Sequence, residues 1–171
     1  MIENINATYF MADLHFGHKN IIKYCDRPFK TVEDMNEALI ENWNKTIQRH
    51  DNVFVLGDFA FGNPMQIIKW GRALNGNKKL ILGNHDTASK TTYLNAGFKE
   101  VIRYPIIWNK YMILSHEPQL MMNCSFYFNL FGHVHNDPSV KDISETGFCV
   151  SAERIDYTPI SFNEILKRVK K

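Results

Sequence analysis

Five short apolar segments, each followed at once by a small polar cluster, constrain the fold of this chain more than any other feature. The segments span residues 8–12, 53–56, 79–82, 111–114 and 126–130. The clusters are Asp13 with His15, Asp58, Asn84 with His85, His116, and His133 with His135. Apolar runs of this length are typical of buried strands, and open α/β sheets bind ligands beyond the carboxyl ends of their strands. The pattern predicts that the clusters meet at one site if the strands lie side by side.

Helical signals between these segments indicate an α/β fold. Thr31 and Asp34 have the spacing of a capping box, and apolar residues then repeat every three or four positions as far as Ile47. Pro64 predicts the start of another helix, and Gly97 the end of a short one. The remaining predicted elements are helices at 20–24 and after Ser161, a hairpin of 106–108 with 111–114, and a strand at 148–150.

The composition predicts one ordinary globular domain spanning residues 1–171. Hydrophobic residues make up 44% and charged residues 22%, which fits neither a disordered nor a fibrous chain. The net charge is +2, so no strong nucleic-acid-binding surface is expected. The basic run Lys167–Lys171 is interpreted as a solvated helix end, because cations suit helix C-termini.

The cysteines and the N-terminus favour a cytoplasmic protein without a membrane segment. Cys25, Cys124 and Cys149 are far apart and form no paired motif, which predicts reduced thiols. The first residues lack the basic and apolar regions of a signal peptide. No run approaches the roughly 18 apolar residues of a membrane span.

The spacing and the types of the clustered residues point to metal binding. In an extended chain, residues two apart point the same way, so Asp13 could face one site with His15, and His133 with His135. Carboxylate, imidazole and amide oxygen suit first-row divalent ions, and seven such groups are about enough for two ions. Taken singly, Asp58 or Asn84 would be turn or capping residues, and His116 an ordinary histidine.

The ordered set of motifs resembles the calcineurin-like metallophosphoesterases, in particular their small bacterial and phage-type members. The matching residues are Asp13-Leu14-His15, Gly57-Asp58, Gly83-Asn84-His85-Asp86, His116, and Gly132-His133-Val134-His135. The match covers residues 13–135, and it is specific as a set although each motif alone is weak. The resemblance implies a four-layer α-β-β-α sandwich of two mixed sheets with flanking helices.

The resemblance also implies roles for the clustered residues. One metal would be held by Asp13, His15 and His135, the other by Asn84, His116 and His133, with Asp58 as the bridge. His85 would protonate the leaving group, with Asp86 orienting its ring, and a hydroxide between the metals would attack phosphorus. The cofactors expected are two divalent ions, Mn²⁺ first, with Fe, Zn, Co or Ni as alternatives.

Three further residues are expected to bind substrate: His18, Asn20 and Arg27. They follow the first cluster closely, and a guanidinium suits a phosphate oxygen. The alternative is that His18 and Asn20 cap the following helix and that Arg27 fixes a loop through a carboxylate.

The expected function is hydrolysis of phosphate esters, nucleotide-derived esters included, with phosphodiesters favoured. The alternatives are a phosphomonoesterase or protein phosphatase, and a non-catalytic metal-binding interaction module. A nuclease would need a basic groove or an added DNA-binding segment, and the sequence indicates neither.

Overall fold

The computed structural model describes residues 7–121 and 126–169, in which two sheets are flanked by helices. The strands are β1 (Thr8–Met11), β2 (Asn52–Leu56), β3 (Asn77–Ile81), β4 (Phe98–Ile102), β5 (Ile106–Trp108), β6 (Met112–Leu114), β7 (Phe128–Phe131), β8 (Gly147–Cys149) and β9 (Ile160–Ser161). The helices are α1 (Ile21–Tyr24), α2 (Val32–Thr46), α3 (Pro64–Ala73), α4 (Lys90–Asn95) and α5 (Phe162–Val169), with a 3₁₀ helix at Ala152–Ile155.

The first sheet has the strand order β4-β3-β2-β1-β9. Strands β1 to β4 pair in parallel, and β9 pairs antiparallel with β1. The central strand β2 is buried from Val53 to Leu56, as expected for a parallel strand covered on both faces. Because β1, β2 and β3 run in the same direction, the residues that follow them emerge at the same edge of the sheet.

The second sheet has the order β5-β6-β7-β8, with an antiparallel β5–β6 pair and parallel pairs thereafter. Aromatic rings pack between the sheets: Trp108 of β5 lies 5.3 Å from Phe10 and 5.9 Å from Phe54, centroid to centroid. The sheets also join where β1 and β8 end. Ala12 N donates to Val150 O (2.9 Å), and Ala152 N donates to Ala12 O (3.0 Å).

The long helices begin and pack as the sequence indicates. At the start of α2, Asp34 N donates to Thr31 Oγ1 (3.1 Å) and Thr31 N donates to Asp34 Oδ2 (3.2 Å), which confirms the capping box. The apolar face of α2, which includes Met35, Leu39 and Trp43, is fully buried. Helix α3 begins at Pro64.

The prediction of an α/β sandwich of two mixed sheets with flanking helices is confirmed, with differences in detail. Strand β4 was not expected, because it is a sheet-edge strand whose Lys99 and Glu100 are exposed. The segment predicted at 126–130 begins as a strand only at Phe128, and Phe126 is exposed. Residues Met1–Asn6, Cys124, Lys170 and Lys171, which entered the sequence predictions, lie outside the described residues.

Two of the surface and composition predictions can be compared with the structure. Lys167 and Arg168 lie on the exposed face of α5 and pair with Glu164, as expected for a solvated helix end. Cys25 and Cys149 are free and buried. No helix within residues 7–121 and 126–169 has the length and apolar character needed to cross a bilayer.

Candidate metal centre

The five polar clusters meet where the two sheets join. Strands β1, β2 and β3 carry the first three clusters to one edge, and the parallel strands β6 and β7 carry the other two toward it. Backbone hydrogen bonds continue this arrangement beyond the strands: Asp13 N donates to Gly57 O and His15 N donates to Asp58 O, both at 3.0 Å. The second sheet is tied in by His133 N, which donates to Asp13 Oδ2 at 2.8 Å.

Two groups of side chains form the centre, and Asp58 lies between them. In the first group, the ligand atoms of Asp13, His15 and His135 all lie within 4.8 Å of one another. Asp58 Oδ2 lies 3.4 Å from His15 Nε2. It also lies 3.6 Å from His116 Nε2, which belongs to the second group. A carboxylate in this position can contact an ion in either group.

The second group consists of Asn84, His116 and His133. Asn84 Oδ1 lies 2.9 Å from His116 Nε2 and 3.1 Å from His133 Nδ1. The two ring nitrogens are 3.2 Å apart. His116 Nε2 and His133 Nδ1 therefore both lie next to Asn84 Oδ1, which makes the three side chains a second candidate ligand set. The structure therefore brings together all seven residues predicted to bind metal.

The expectation that an extended backbone aligns these pairs is wrong. Asp13 and His15 have φ of +57° and +53°, and His133 and His135 have φ of +70° and +47°. Asp58 is left-handed as well, with φ of +54°. Left-handed non-glycine residues each cost on the order of 1–3 kcal/mol and concentrate at functional sites. Left-handed backbone conformations beyond the strand ends, and not the alternation of a strand, direct these side chains into the centre.

Glycines give the backbone the close approach that this crowding requires. A Cβ on Gly132 would overlap Ala12 Cβ and would lie 2.7 Å from Asp13 Oδ2. At Gly57, whose φ is +89°, a Cβ would overlap the ring of His116. Both positions lie next to proposed ligands, so a larger residue would displace them.

Two buried atoms of the first group fit a bound cation. Asp13 Oδ1 and His15 Nε2 have no hydrogen-bond partner within the described residues, whereas buried polar atoms are nearly always paired. Burial raises the pKa of Asp13. Burial, followed by the charge of His135, holds the pKa of His15 far below its usual value, so the ring is neutral. A carboxylate oxygen and a neutral imidazole nitrogen are good ligands for a first-row divalent ion.

His85 lies at the mouth of the centre and is exposed. Its backbone N donates to Asp58 Oδ1 at 2.9 Å. Its ring lies 5.0 Å from the ring of Phe61 and 5.7 Å from that of His15. The imidazole is therefore next to the candidate ligands and open to a substrate, as the predicted acid would have to be.

Asp86 contacts backbone N–H groups and the Tyr93 hydroxyl and not the His85 ring, which corrects the predicted orienting role. Its Oδ2 accepts from Asp58 N (2.8 Å) and Gly83 N (2.9 Å), and its Oδ1 accepts from Phe59 N (3.0 Å). Burial raises the pKa of Asp86 to about 6, although the bond from Gly83 N opposes the shift. The carboxylate thus joins the loops after β2 and β3 and positions the backbone of Asp58.

Arg27 does not face a substrate site, and the prediction that it binds substrate is wrong. The residue is 3% exposed. It forms an ion pair with Glu153 (Nη2 to Oε1, 2.7 Å) and donates to Asp13 O (2.7 Å) and Leu14 O (3.0 Å). The alternative, in which Arg27 fixes a loop through a carboxylate, describes these contacts.

Of the other two residues predicted to bind substrate, His18 lies beside the centre and Asn20 does not. The Nδ1 of His18 is 3.3 Å from His15 Nδ1, and the His18 ring stacks on Phe61 with centroids 4.0 Å apart. Asn20 is exposed at the start of α1, and its side chain makes no capping bond. The described contacts do not connect Asn20 with the cluster.

Glu153 is a buried charged residue of the centre that sequence reasoning missed. It lies on the 3₁₀ helix after β8, and its Oε1 accepts from His135 Nδ1 at 3.0 Å as well as from Arg27. Glu153, His135 and Cys25 also form a triad of potential metal ligands. Because Arg27 already supplies the positive charge there, we assign this triad to support of His135 and not to a further ion. Its signal in the sequence, a lone Glu between Ala152 and Arg154, is too weak to identify it.

Two depressions flank the second group. A cleft of about 510 Å³ is lined by Asn84, Arg103, Ser115, His116, Glu117 and Gln119, among other residues. A smaller, mostly apolar pocket of about 360 Å³ adjoins His85 and Phe61. The loop that carries Asn84 and His85 separates the two, so a substrate bound at the centre could extend into either.

The comparison with protein families gives one match that spans nearly the whole chain. The family model described as calcineurin-like phosphoesterase matches residues 8–169. The uncharacterised protein MJ1445 of Methanocaldococcus jannaschii is 35% identical over 181 residues, which cover 98% of this chain and 94% of that protein. The gene 66 protein of Mycobacterium phage L5 is 34% identical over 85 residues, 48% of this chain and 41% of that protein.

Solved structures share the architecture. The protein of unknown function AQ665 from Aquifex aeolicus aligns with a TM-score of 0.67 and 25% identity, over 94% of this chain and 98% of that one. The Pseudomonas putida nuclease MPE aligns with a TM-score of 0.51 and 23% identity, over 76% of this chain and 61% of that one. The second likeness is evidence for the fold alone.

Proposed function

The chain belongs to the calcineurin-like phosphoesterase family and is a hydrolase of phosphoric esters, and we propose that it is a single-domain phosphodiesterase with two divalent metal ions. The observation that carries the proposal is the position of Asp58, whose Oδ2 lies 3.4 Å from His15 Nε2 and 3.6 Å from His116 Nε2. Mn²⁺ is the proposed ion at both positions, and a reducing, cytoplasmic compartment suits the buried free thiols.

The proposed ligands divide into two sets that share Asp58. One set is Asp13, His15 and His135, and the other is Asn84, His116 and His133. Bound divalent ions supply Lewis-acid polarisation of the phosphate oxygens and activation of a water nucleophile. The protein's part is to hold these ligands on turns fixed by two sheets, so that little reorganisation is needed when the ester binds.

His85 is the proposed general acid. It would donate a proton to the leaving oxygen, which typically contributes about 10²–10⁴-fold to the rate. The bond from its backbone N to Asp58 Oδ1 keeps it beside the proposed bridge, and its exposed ring can reach a bound ester. His18, stacked on Phe61, is the proposed second wall of this side of the site.

The charge of the cleft favours a diester over a monoester. Among the described residues that line it, Arg103 is the one arginine or lysine, and the carboxyl groups of Glu117 and Asp86 lie in the same wall. A diester has one negative charge, whereas a monoester approaches two at neutral pH. Because Arg27 is occupied by Glu153, the protein adds little positive charge beyond the ions. We therefore assign to Arg103 the contact with the phosphate that was first expected of Arg27.

A parallel assay tests the proposal. The Mn²⁺-loaded protein would be offered bis-p-nitrophenyl phosphate, p-nitrophenyl phosphate, a cyclic nucleotide and single-stranded DNA. We expect kcat/KM for the diester to exceed that for the monoester by about tenfold or more, which is about 1.4 kcal/mol in the transition state. The opposite order would favour a phosphomonoesterase or protein phosphatase. Two bound ions without turnover of any ester would favour an interaction module.

A further inference from the structure

A buried ion pair outside the predicted ligand sets joins two loops of the metal centre. The side chains of Arg27 and Glu153 are 0% and 5% exposed, and their closest atoms are 2.7 Å apart. Burying two charges is costly unless both are well paired and hydrogen-bonded. The cost of burying this pair suggests a role beyond fixing a surface loop, and the contacts of the two side chains indicate that role.

Each end of the pair contacts a different ligand-bearing loop. On one end, the Arg27 guanidinium donates to the carbonyl oxygens of Asp13 (2.7 Å) and Leu14 (3.0 Å). On the other end, Glu153 Oε1 accepts from His135 Nδ1 at 3.0 Å. The pair thus connects the loop after β1 with the loop after β7.

The bond to His135 determines how that ring can bind an ion. A ring that donates its Nδ1–H to a carboxylate has only Nε2 available as a ligand, in a fixed orientation and with increased basicity. The other Glu153 oxygen, Oε2, is buried without a partner within the described residues. The described side-chain contacts of the carboxylate are therefore with His135 and Arg27, and all of them are made by Oε1.

The backbone of the His135 loop has other anchors. Arg154 donates to His135 O and, at 2.7 Å, to Asp137 O. Asn136 Nδ2 donates to Cys25 O at 2.9 Å. Loss of the Glu153 charge should therefore release the ring of His135 while the loop keeps its course.

We propose that Glu153 is a positioning residue for the ion held by Asp13, His15 and His135, with Arg27 holding the carboxylate in place. The inference rests on the proposed function, since it requires that the centre bind metal. It assigns the affinity of one ion, and not of both, to a residue that contacts neither substrate nor ion.

The test is stepwise Mn²⁺ binding by calorimetry to the wild type and to Glu153→Gln. The amide keeps the shape of the side chain but removes the charge, and changes of this kind typically weaken metal binding about 10–100-fold. We expect one of the two binding steps to weaken by that factor and the other to stay unchanged. Glu164→Gln is the matched control, because it removes an exposed, ion-paired carboxylate on α5; both steps should be retained in it.

Two further measurements keep the test decisive. Long-range proton–nitrogen NMR spectra of the Zn²⁺-loaded protein should show His135 with its proton on Nδ1 in the wild type and a mixture of states in Glu153→Gln. Should Glu153→Gln fail to fold, Glu153→Asp retains the charge with a shorter reach and should show a smaller loss at the same binding step. If Glu153→Gln bound each of the two ions with the same affinity as the wild type, the positioning role would be overturned and the proposed function would stand. A wild type that takes up no Mn²⁺ would overturn the proposed function.

Discussion

The two halves of the candidate metal centre are constructed differently, although each offers three proposed ligands and shares Asp58. In the first half, Asp13 and His15 are 0% and 1% exposed, and a buried ion pair supports the third ligand, His135. In the second half, His116 is buried, but Asn84 and His133 are exposed, and Asn84 lines the larger cleft. The first half is therefore more enclosed by the protein than the second.

This difference predicts a division of labour between the two ions. The enclosed half presents a carboxylate and two imidazoles that the surrounding protein holds in fixed orientations, so we expect its ion to bind more tightly. The open half relies on an amide oxygen, a weaker ligand than a carboxylate, and it borders the cleft in which we propose that the phosphate ester binds. We expect its ion to exchange more readily and to contact the substrate.

Removal of Asp58 should impair both halves at once, because it is the residue that both halves share. Asp58→Ala should reduce both metal affinities and lower kcat/KM by at least about 10³-fold, the upper range for loss of a single electrostatic contact. Metal analysis of the dialysed protein and diester hydrolysis measure the two effects. Glu145→Ala, which removes an exposed carboxylate, is the control. An Asp58→Ala protein that retains two ions per chain would exclude the bridging role.

His85→Ala should leave both halves intact and remove only the proton donor. We expect kcat to fall by about 10²–10⁴-fold for a diester with an alkyl leaving group, since that oxygen needs protonation. The fall should be much smaller for p-nitrophenolate, which leaves without help. Metal content should be unchanged, as it should be in the control His50→Ala, which alters an exposed histidine that is neither in a cluster nor beside one. Full activity toward the alkyl diester would rule out the acid role.

The sequence indicated the proposed ligands of both halves but not the residues that support them. Asp13, His15 and His133 follow short apolar runs, and that pattern is local and survives without tertiary information. The pairing of Arg27 with Glu153 is not local, because 126 residues separate the two. The basic side chain near the first cluster was therefore interpreted as a substrate contact. The turns that orient the ligands were also missed, because positive φ at Asp and His has no reliable mark in the sequence.

Asp86 anchors the backbone of the shared Asp58 and, through Gly83 N, the loop that carries Asn84 of the open half, so its replacement tests how independently the two halves are supported. In Asp86→Asn one oxygen becomes an amide nitrogen that cannot accept from the backbone N–H groups of Asp58 and Gly83. Each unpaired buried donor costs about 1–3 kcal/mol, so the loss of these two bonds should lower the free energy of unfolding by roughly 2–6 kcal/mol. Chemical denaturation measures it.

The same variant should also weaken metal binding, mainly at the step that Glu153→Gln leaves unchanged. Asn84 lies two residues before Asp86, on the loop that the carboxylate anchors through Gly83 N. We expect the weaker binding step to suffer more than the tighter one. Asp51→Asn, a partly exposed site at the far end of β2, is the control for a general loss of stability. Equal weakening of both steps would mean that the halves are not independently supported.

Arg103→Gln should produce the smallest effect, confined to the substrate side of the open half. The guanidinium is exposed and lies in the cleft next to Asn84 and His116, so its contact with a phosphate oxygen is screened by solvent. A contact of this kind is worth at most about 1 kcal/mol, which corresponds to a rise in KM of roughly threefold to fivefold. Neither kcat nor the affinity for either ion should change.

The control is Arg72→Gln. This variant removes an exposed arginine of α3 that donates to Asn95 O of α4, and it should leave KM unaltered. A rise in KM that grows at low ionic strength would identify Arg103 as the residue that attracts the ester. An unchanged KM across ionic strengths would direct the search for the substrate contact to the pocket beside His85.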